Sequence, residues 1–207
     1  EQAHKRVRDV IFQTPLMYSN WLSDYCNGDV YLQLESEQVT GCFKARGSLS
    51  KLKWIQEENF NSLPVTASTG NHGLGFARAC DLLGIKGTVF LPHNAVSSKV
   101  ESIKAFDVKV EFHGHDPYTT EIYARETAEK NGWIYISPYN DPQIVAGQGT
   151  IGIERLNTIP EPDNILATVG GGGLISGIGT YVKSRLPDIN MIGCQPENSP
   201  EMSASVR

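Results

Sequence analysis

No apolar run in the 207-residue chain approaches the roughly 18 residues of a membrane span, so no membrane partner is expected. Cysteine is scarce. Cys26, Cys42, Cys80 and Cys194 are scattered without a Cys-x-x-Cys pair, and no signal-peptide pattern opens the chain. They read as reduced thiols of a cytoplasmic protein. Positive charge is in deficit: 18 Lys and Arg face 23 Asp and Glu, a net charge of −5. That excludes a general nucleic-acid binder, which carries a basic patch. Gly-Lys-Ser/Thr is absent, so there is no P-loop, and Gly171-x-Gly173 meets Ser176 where a third glycine would complete a dinucleotide fingerprint. Internal repeats, low-complexity tracts and linkers are missing too. What is present suits a globular fold: 40% of residues are hydrophobic, which excludes a disordered chain. The length fits one large domain or two small ones. Glu201–Arg207 shows no strand, cap or tail, and the chain is expected to be a piece of a longer one.

Short apolar runs alternate with helical patterns. Strands are expected at Val30–Leu34, Val65–Ala67, Gly87–Leu91, Val108–Phe112, Trp133–Ser137, Asn164–Val169 and Met191–Cys194. Helices are expected at Gly47–Glu57, Asn71–Leu83, Lys99–Phe106, Tyr118–Lys130, Gln143–Leu156 and Leu174–Arg185. This βαβα order predicts an α/β protein with a mostly parallel sheet covered by helices on both faces. Ligands of such sheets bind beyond the carboxyl ends of strands, at a topological switch point.

Three loop segments carry chemistry. Gly170-Gly171-Gly172-Gly173-Leu174 lies between a strand and a helix. Four glycines let backbone N–H groups converge, and the next helix adds its positive end, which makes an anion site, most often for phosphate. A plain flexible turn needs only one or two glycines. Lys44, in Thr40-Gly41-Cys42-Phe43-Lys44-Ala45-Arg46-Gly47, stands at the start of a helix, where the dipole disfavours a cation. That placement suits a lysine kept neutral, a nucleophile able to form a Schiff base. The plain alternative is an exposed lysine near a helix start. In Ser68-Thr69-Gly70-Asn71-His72-Gly73-Leu74-Gly75, glycines allow close backbone approach to a ligand, and the Asn71 amide is either a ligand donor or a helix cap. A lysine, a phosphate cradle and an Asn-bearing glycine loop are together what a pyridoxal phosphate enzyme needs.

With Pro142–Glu154 (PQIVAGQGTIGIE), these segments resemble the serine/threonine dehydratase and serine racemase group of fold-type II pyridoxal phosphate enzymes, in order and nearly in spacing. The resemblance covers almost the whole chain. It implies a tryptophan synthase beta-like fold: two parallel-sheet, three-layer α/β domains with the cofactor in the cleft. Residues 63–140 would form the small domain. Residues 1–62 and 141–207 would form part of the large one, its C-terminal remainder missing with the group that meets the pyridine nitrogen. It implies that Lys44 holds the cofactor and is the base at the substrate α-carbon. Phe43 would pack beside the ring, Asn71 would bond its 3′ oxygen, and Gly170, Gly171, Gly172, Gly173 and Leu174 would bind its phosphate through backbone N–H groups. Ser68, Thr69, Gly70, Asn71 and His72 would take the substrate carboxylate.

The activity so implied is a threonine/serine ammonia-lyase (dehydratase), removing water and ammonia from a hydroxy amino acid to leave a 2-oxo acid. A serine racemase is the alternative, with the Thr69 hydroxyl as the second acid in place of the serine such racemases use. A cofactor- or amino-acid-binding relative without catalysis is the alternative of another class, and the intact Lys44 counts against it. A homodimer is implied for the full-length protein. Many relatives bind a divalent cation (Mg or Mn) through an acidic residue before a proline. Here Gln195 precedes Pro196, and a neutral amide is a poorer ligand for a hard cation. Cys42 stands where relatives carry Ser or Ala. Tyr139 lies in a stretch that faces the cofactor in relatives. His113-Gly114-His115 reads as a surface loop.

Overall fold

A computed structural model describes residues 1–206. Helix α1 (Gln2–Val7) leads into a small antiparallel hairpin, β1 (Leu16–Tyr18) and β2 (Tyr31–Gln33), with α2 (Asn20–Cys26) between its strands. The apolar pattern marks β2 but not its partner, because a three-residue strand shows too little alternation. A 3-10 turn, Glu35–Glu37, and a loop then deliver the chain to α3 (Lys44–Glu57).

The central sheet contains β3 (Pro64–Ala67), β4 (Thr88–Leu91), β5 (Lys109–Phe112) and β6 (Ile134–Tyr135). They are joined through α4 (Asn71–Leu83), α5 (Ser97–Lys104) and α6 (Pro117–Asn131). Its order is β5-β4-β3-β6 and every pair is parallel. The chain winds outward from β3 to β5, then returns to the other side of β3 as β6. The switch point is therefore the carboxyl end of β3, where Ser68–Gly70 lies. Val65 and Phe90 pack on one face with Ala124 and Ala128 of α6. Val89 and Leu91 face the other way, into the main core of α3 and α4, where Leu49, Leu52, Ile55 and Phe76 are fully or nearly fully buried.

Local chemistry sets the boundaries. Asp116 caps α6 by accepting from the Thr119 N–H (2.9 Å), with Pro117 at the first helical position. Asp141 caps α7 (Pro142–Gln148) in the same way, accepting from Gln143 and Ile144. The single helix expected over Gln143–Leu156 is two: α7 ends at Gln148, Gly149 caps both, and α8 (Thr150–Thr158) follows. The break sits where a Cβ on Gly149 would come within 2.7 Å of the Gly177 carbonyl.

β7 (Asn164–Thr168), α9 (Gly173–Arg185) and β8 (Asn190–Cys194) make a parallel βαβ unit, packed on α8 through Ile151, Ile178 and Val182. Leu166 and Ile192 are register partners in this sheet and both are exposed. A short helix, α10 (Glu201–Ser205), occupies the segment where the sequence suggests no element.

Candidate active site

Lys44 is the first residue of α3. The segment before it follows the 3-10 turn rather than a strand, and turns at Gly41, whose φ of 68° suits glycine. The lysine amine is drawn inward. Its Nζ donates to the Pro138 carbonyl at 2.8 Å and lies 5.2 Å from the Phe43 ring centroid. Burial pushes its pKa below the ordinary lysine value, with nearby Cys42 opposing.

The loop after β3 reaches the same place. α4 starts at Asn71 and crosses the start of α3 so closely that a Cβ on Gly75 would sit 3.2 Å from the Lys44 backbone. A Cβ on Gly73 would collide with the Ser68 carbonyl, so packing requires a glycine there. Ser68, Thr69 and Gly70 are partly exposed and Asn71 is exposed at the mouth of this loop. Gly70, not Asn71, is the N-cap of α4, so the asparagine amide is not spent on capping. His72 differs from its loop neighbours. Its ring is 3% exposed and its Nε2 lies 3.3 Å from the Ile136 carbonyl. A carbonyl only accepts, so Nε2 carries the hydrogen and Nδ1 the lone pair. Burial, with the Lys44 charge nearby, lowers the His72 pKa to about 3.

The glycine run closes the site. Gly172 has a φ of 84°, and α9 begins at Gly173. A Cβ on Gly171 would strike the Tyr139 ring, one on Gly173 would lie 3.0 Å from the Tyr139 Cα, and one on Gly172 would lie 2.9 Å from the Met202 Cε. A side chain is blocked at Gly171 by the ring and disfavoured at Gly172 by its φ, and the run presents backbone N–H groups at the head of a 13-residue helix. Leu174 and Phe43 pack into the α8–α9 core together.

Pro138 and Tyr139 bridge the two halves: one accepts from Lys44, and the other covers Gly171. The sequence marks Tyr139 only weakly. Three groups tether this strap, namely His72 at Ile136, Lys44 at Pro138, and Lys51 through a 2.8 Å ion pair to Asp141. Arg46, unmarked beyond its place in the motif, is fully buried between Glu35 and Glu154.

At the far end the Gln195 carboxamide oxygen accepts from the Ser203 N–H, and Glu201 accepts from the Ser199 hydroxyl. Among the described residues no three His, Cys, Asp or Glu side chains gather as a metal-holding group. His113 stacks on Tyr123 at 3.5 Å and His115 is exposed, as a surface loop requires.

Known proteins are similar to this chain. Residues 7–207 match the family described as pyridoxal-phosphate dependent enzyme. An L-threonine ammonia-lyase of Thermotoga maritima is 38% identical over 207 residues, which is 100% of this chain and 52% of that protein. The processed threonine deaminase isoform 2 of Solanum lycopersicum superposes with a TM-score of 0.92 at 30% identity, covering 99% of this chain and 57% of that one. Maize serine racemase gives 0.91 at 30% identity, covering 99% and 62%. The chain thus spans between half and two thirds of the length of these relatives.

Proposed function

The chain belongs to the pyridoxal-phosphate dependent enzyme family, and we propose that it carries the cofactor-holding part of a threonine/serine ammonia-lyase. The observation that carries the reading is the convergence of Lys44 and the glycine run on the Pro138–Tyr139 strap, with the loop before α4 tied just upstream by His72 at Ile136. The residues present suit the cofactor: a buried lysine of lowered pKa for its aldehyde, and a side-chain-free cradle for its phosphate.

Lys44 and the N–H groups of Gly170–Leu174 would hold the cofactor, with the Asn71 amide and Phe43 beside it. When bound, pyridoxal phosphate supplies an electron sink for the charge released at the substrate α-carbon. The chain's own groups do the rest. The exposed end of the Ser68–Asn71 loop and the first turn of α4 offer N–H donors to a substrate carboxylate. Lys44, its pKa lowered by burial, accepts the α-proton. His72 stays neutral and holds the loop against Ile136. Loss of the β-hydroxyl as water leaves an enamine, whose imine tautomer takes up one water and releases ammonia to give a 2-oxo acid.

The division into a small domain over 63–140 and a large one from 1–62 and 141–207 is supported by the four-stranded sheet lying wholly within 64–135. A homodimer and a cytoplasmic location belong to the same reading. Serine racemase is the second reading, favoured by the likeness to the maize enzyme and by a Thr69 hydroxyl at the loop. The test is twofold. Adding pyridoxal phosphate should give the visible band of a lysine Schiff base, absent in Lys44→Ala. The longer protein given L-serine and L-threonine should form oxo acid; D-serine as the main product would replace the lyase reading with the racemase one.

A further inference from the structure

We propose that Arg46 is a positioning residue for Lys44, clamping the base of the loop that delivers the lysine. The inference rests on the reading of Lys44 given above. Arg46 stands two residues beyond Lys44 in the first turn of α3 and is 0% exposed. Its Nε and Nη2 donate to the two Glu35 oxygens, both at 2.8 Å, and its Nη1 and Nη2 donate to those of Glu154 at 2.6 and 2.9 Å. Nη1 also reaches the Thr150 hydroxyl at 3.1 Å and Nη2 the Phe12 carbonyl at 3.3 Å. Every guanidinium nitrogen is engaged. One fork therefore joins the start of α3 to the 3-10 turn on one side and to α8 on the other.

The placement matters more than the strength. Glu35 and Arg46 are the two ends of the loop that holds Thr40–Lys44, so their paired bonds close it at its base. The rest of the base is knitted too. The Thr14 hydroxyl donates to Glu35 at 2.5 Å, and the Gln38 carboxamide bonds both the N–H and the carbonyl of Phe12. Stability alone does not call for such a cluster, because well-packed apolar side chains commonly replace a buried ion triad at little cost or with a gain. A rigid two-sided fork does what apolar packing does poorly: it fixes orientation. Lysine keeps the charge but offers one point of contact, so Arg46→Lys is the informative change.

The experiment reads the lysine itself. Competitive acylation with acetic anhydride across pH, followed by peptide mass spectrometry, gives the reactivity of Lys44 without cofactor. Borohydride trapping after addition of pyridoxal phosphate gives its competence as the anchoring amine. In Arg46→Lys the Lys44 acylation profile should move toward that of an ordinary lysine, with acylation at pH 8 roughly tenfold slower. Trapping at Lys44 should fall about as much, with other lysines unchanged. Glu35→Gln, which keeps one full fork, should show the same shifts at smaller size and serves if Arg46→Lys does not fold. Wild-type acylation and trapping in a folded variant whose melting temperature alone has dropped would overturn the proposal. Absence of trapping in the wild-type chain would instead sink the cofactor reading, while the acylation profile would still decide the role of Arg46.

Discussion

Lys44 and Pro138, 94 positions apart, are joined by one hydrogen bond from Nζ to the carbonyl oxygen. The bond pins the strap after β6 to the head of α3. Replacing Lys44 with Ala should free the strap locally: amide hydrogen exchange at Tyr139 and Asn140 should quicken several-fold. The Lys51–Asp141 pair should hold the amides of α7 near their wild-type rates. Unchanged exchange at the strap would show that the bond restrains nothing.

His72 gives a signed pH effect. Its folded pKa of about 3 lies below its ordinary value of 6.5, so between those values the unfolded chain binds a proton that the folded chain refuses. Stability from this group is complete above pH 6.5 and is lost as pH falls toward 3. Urea midpoints taken from pH 7 to 4 should fall less steeply in His72→Phe than in wild type. The imidazole proton signals of His72 should stay fixed from pH 8 to 5.

The glycine cradle predicts a clash and its cure. Gly171→Ala should push the Tyr139 ring away and weaken pyridoxal phosphate binding by about tenfold or more, because overpacking costs about 1–3 kcal/mol. Removing the ring as well, in Gly171→Ala with Tyr139→Ala, should recover part of that loss. Equal losses in the single and double variants, read from cofactor titrations, would place the fault in the backbone rather than in the ring.

The four thiols should separate by reactivity. Burial raises the Cys80 pKa to about 12, and a Cβ on Gly87 would touch its sulfur, so it packs as a small hydrophobe. Cys26 and Cys194 are exposed. Iodoacetamide at pH 8 should label these two within minutes, Cys42 more slowly, and Cys80 only after unfolding.

The parallel sheet was readable because β3, β4 and their neighbouring helices carry strong apolar periods; α4 runs over Asn71–Leu83 as its pattern implies. Gly170–Gly173 and Lys44 were readable because glycine and lysine are costly where they stand unless something binds there. The hairpin strand β1 was not, since three residues of mixed exposure leave no period. Nor was the break at Gly149, which depends on a carbonyl of α9 that only the folded chain brings near. The roles of Pro138 and Arg46 escaped for a related reason: one acts through its backbone oxygen, and the other through partners 11 and 108 positions away.

Helix α3 shows what such crowding means for tolerance to change. Nine of its 14 residues are buried, among them a glycine, two serines, a lysine and an arginine, and it meets α4 and α7 at glycine crossings. Of the 15 residues of α6, three are buried. Substitutions should therefore be absorbed along α6 and refused along α3. A library built to alter this protein has its freedom in the outer helix and almost none in the spar that carries the lysine.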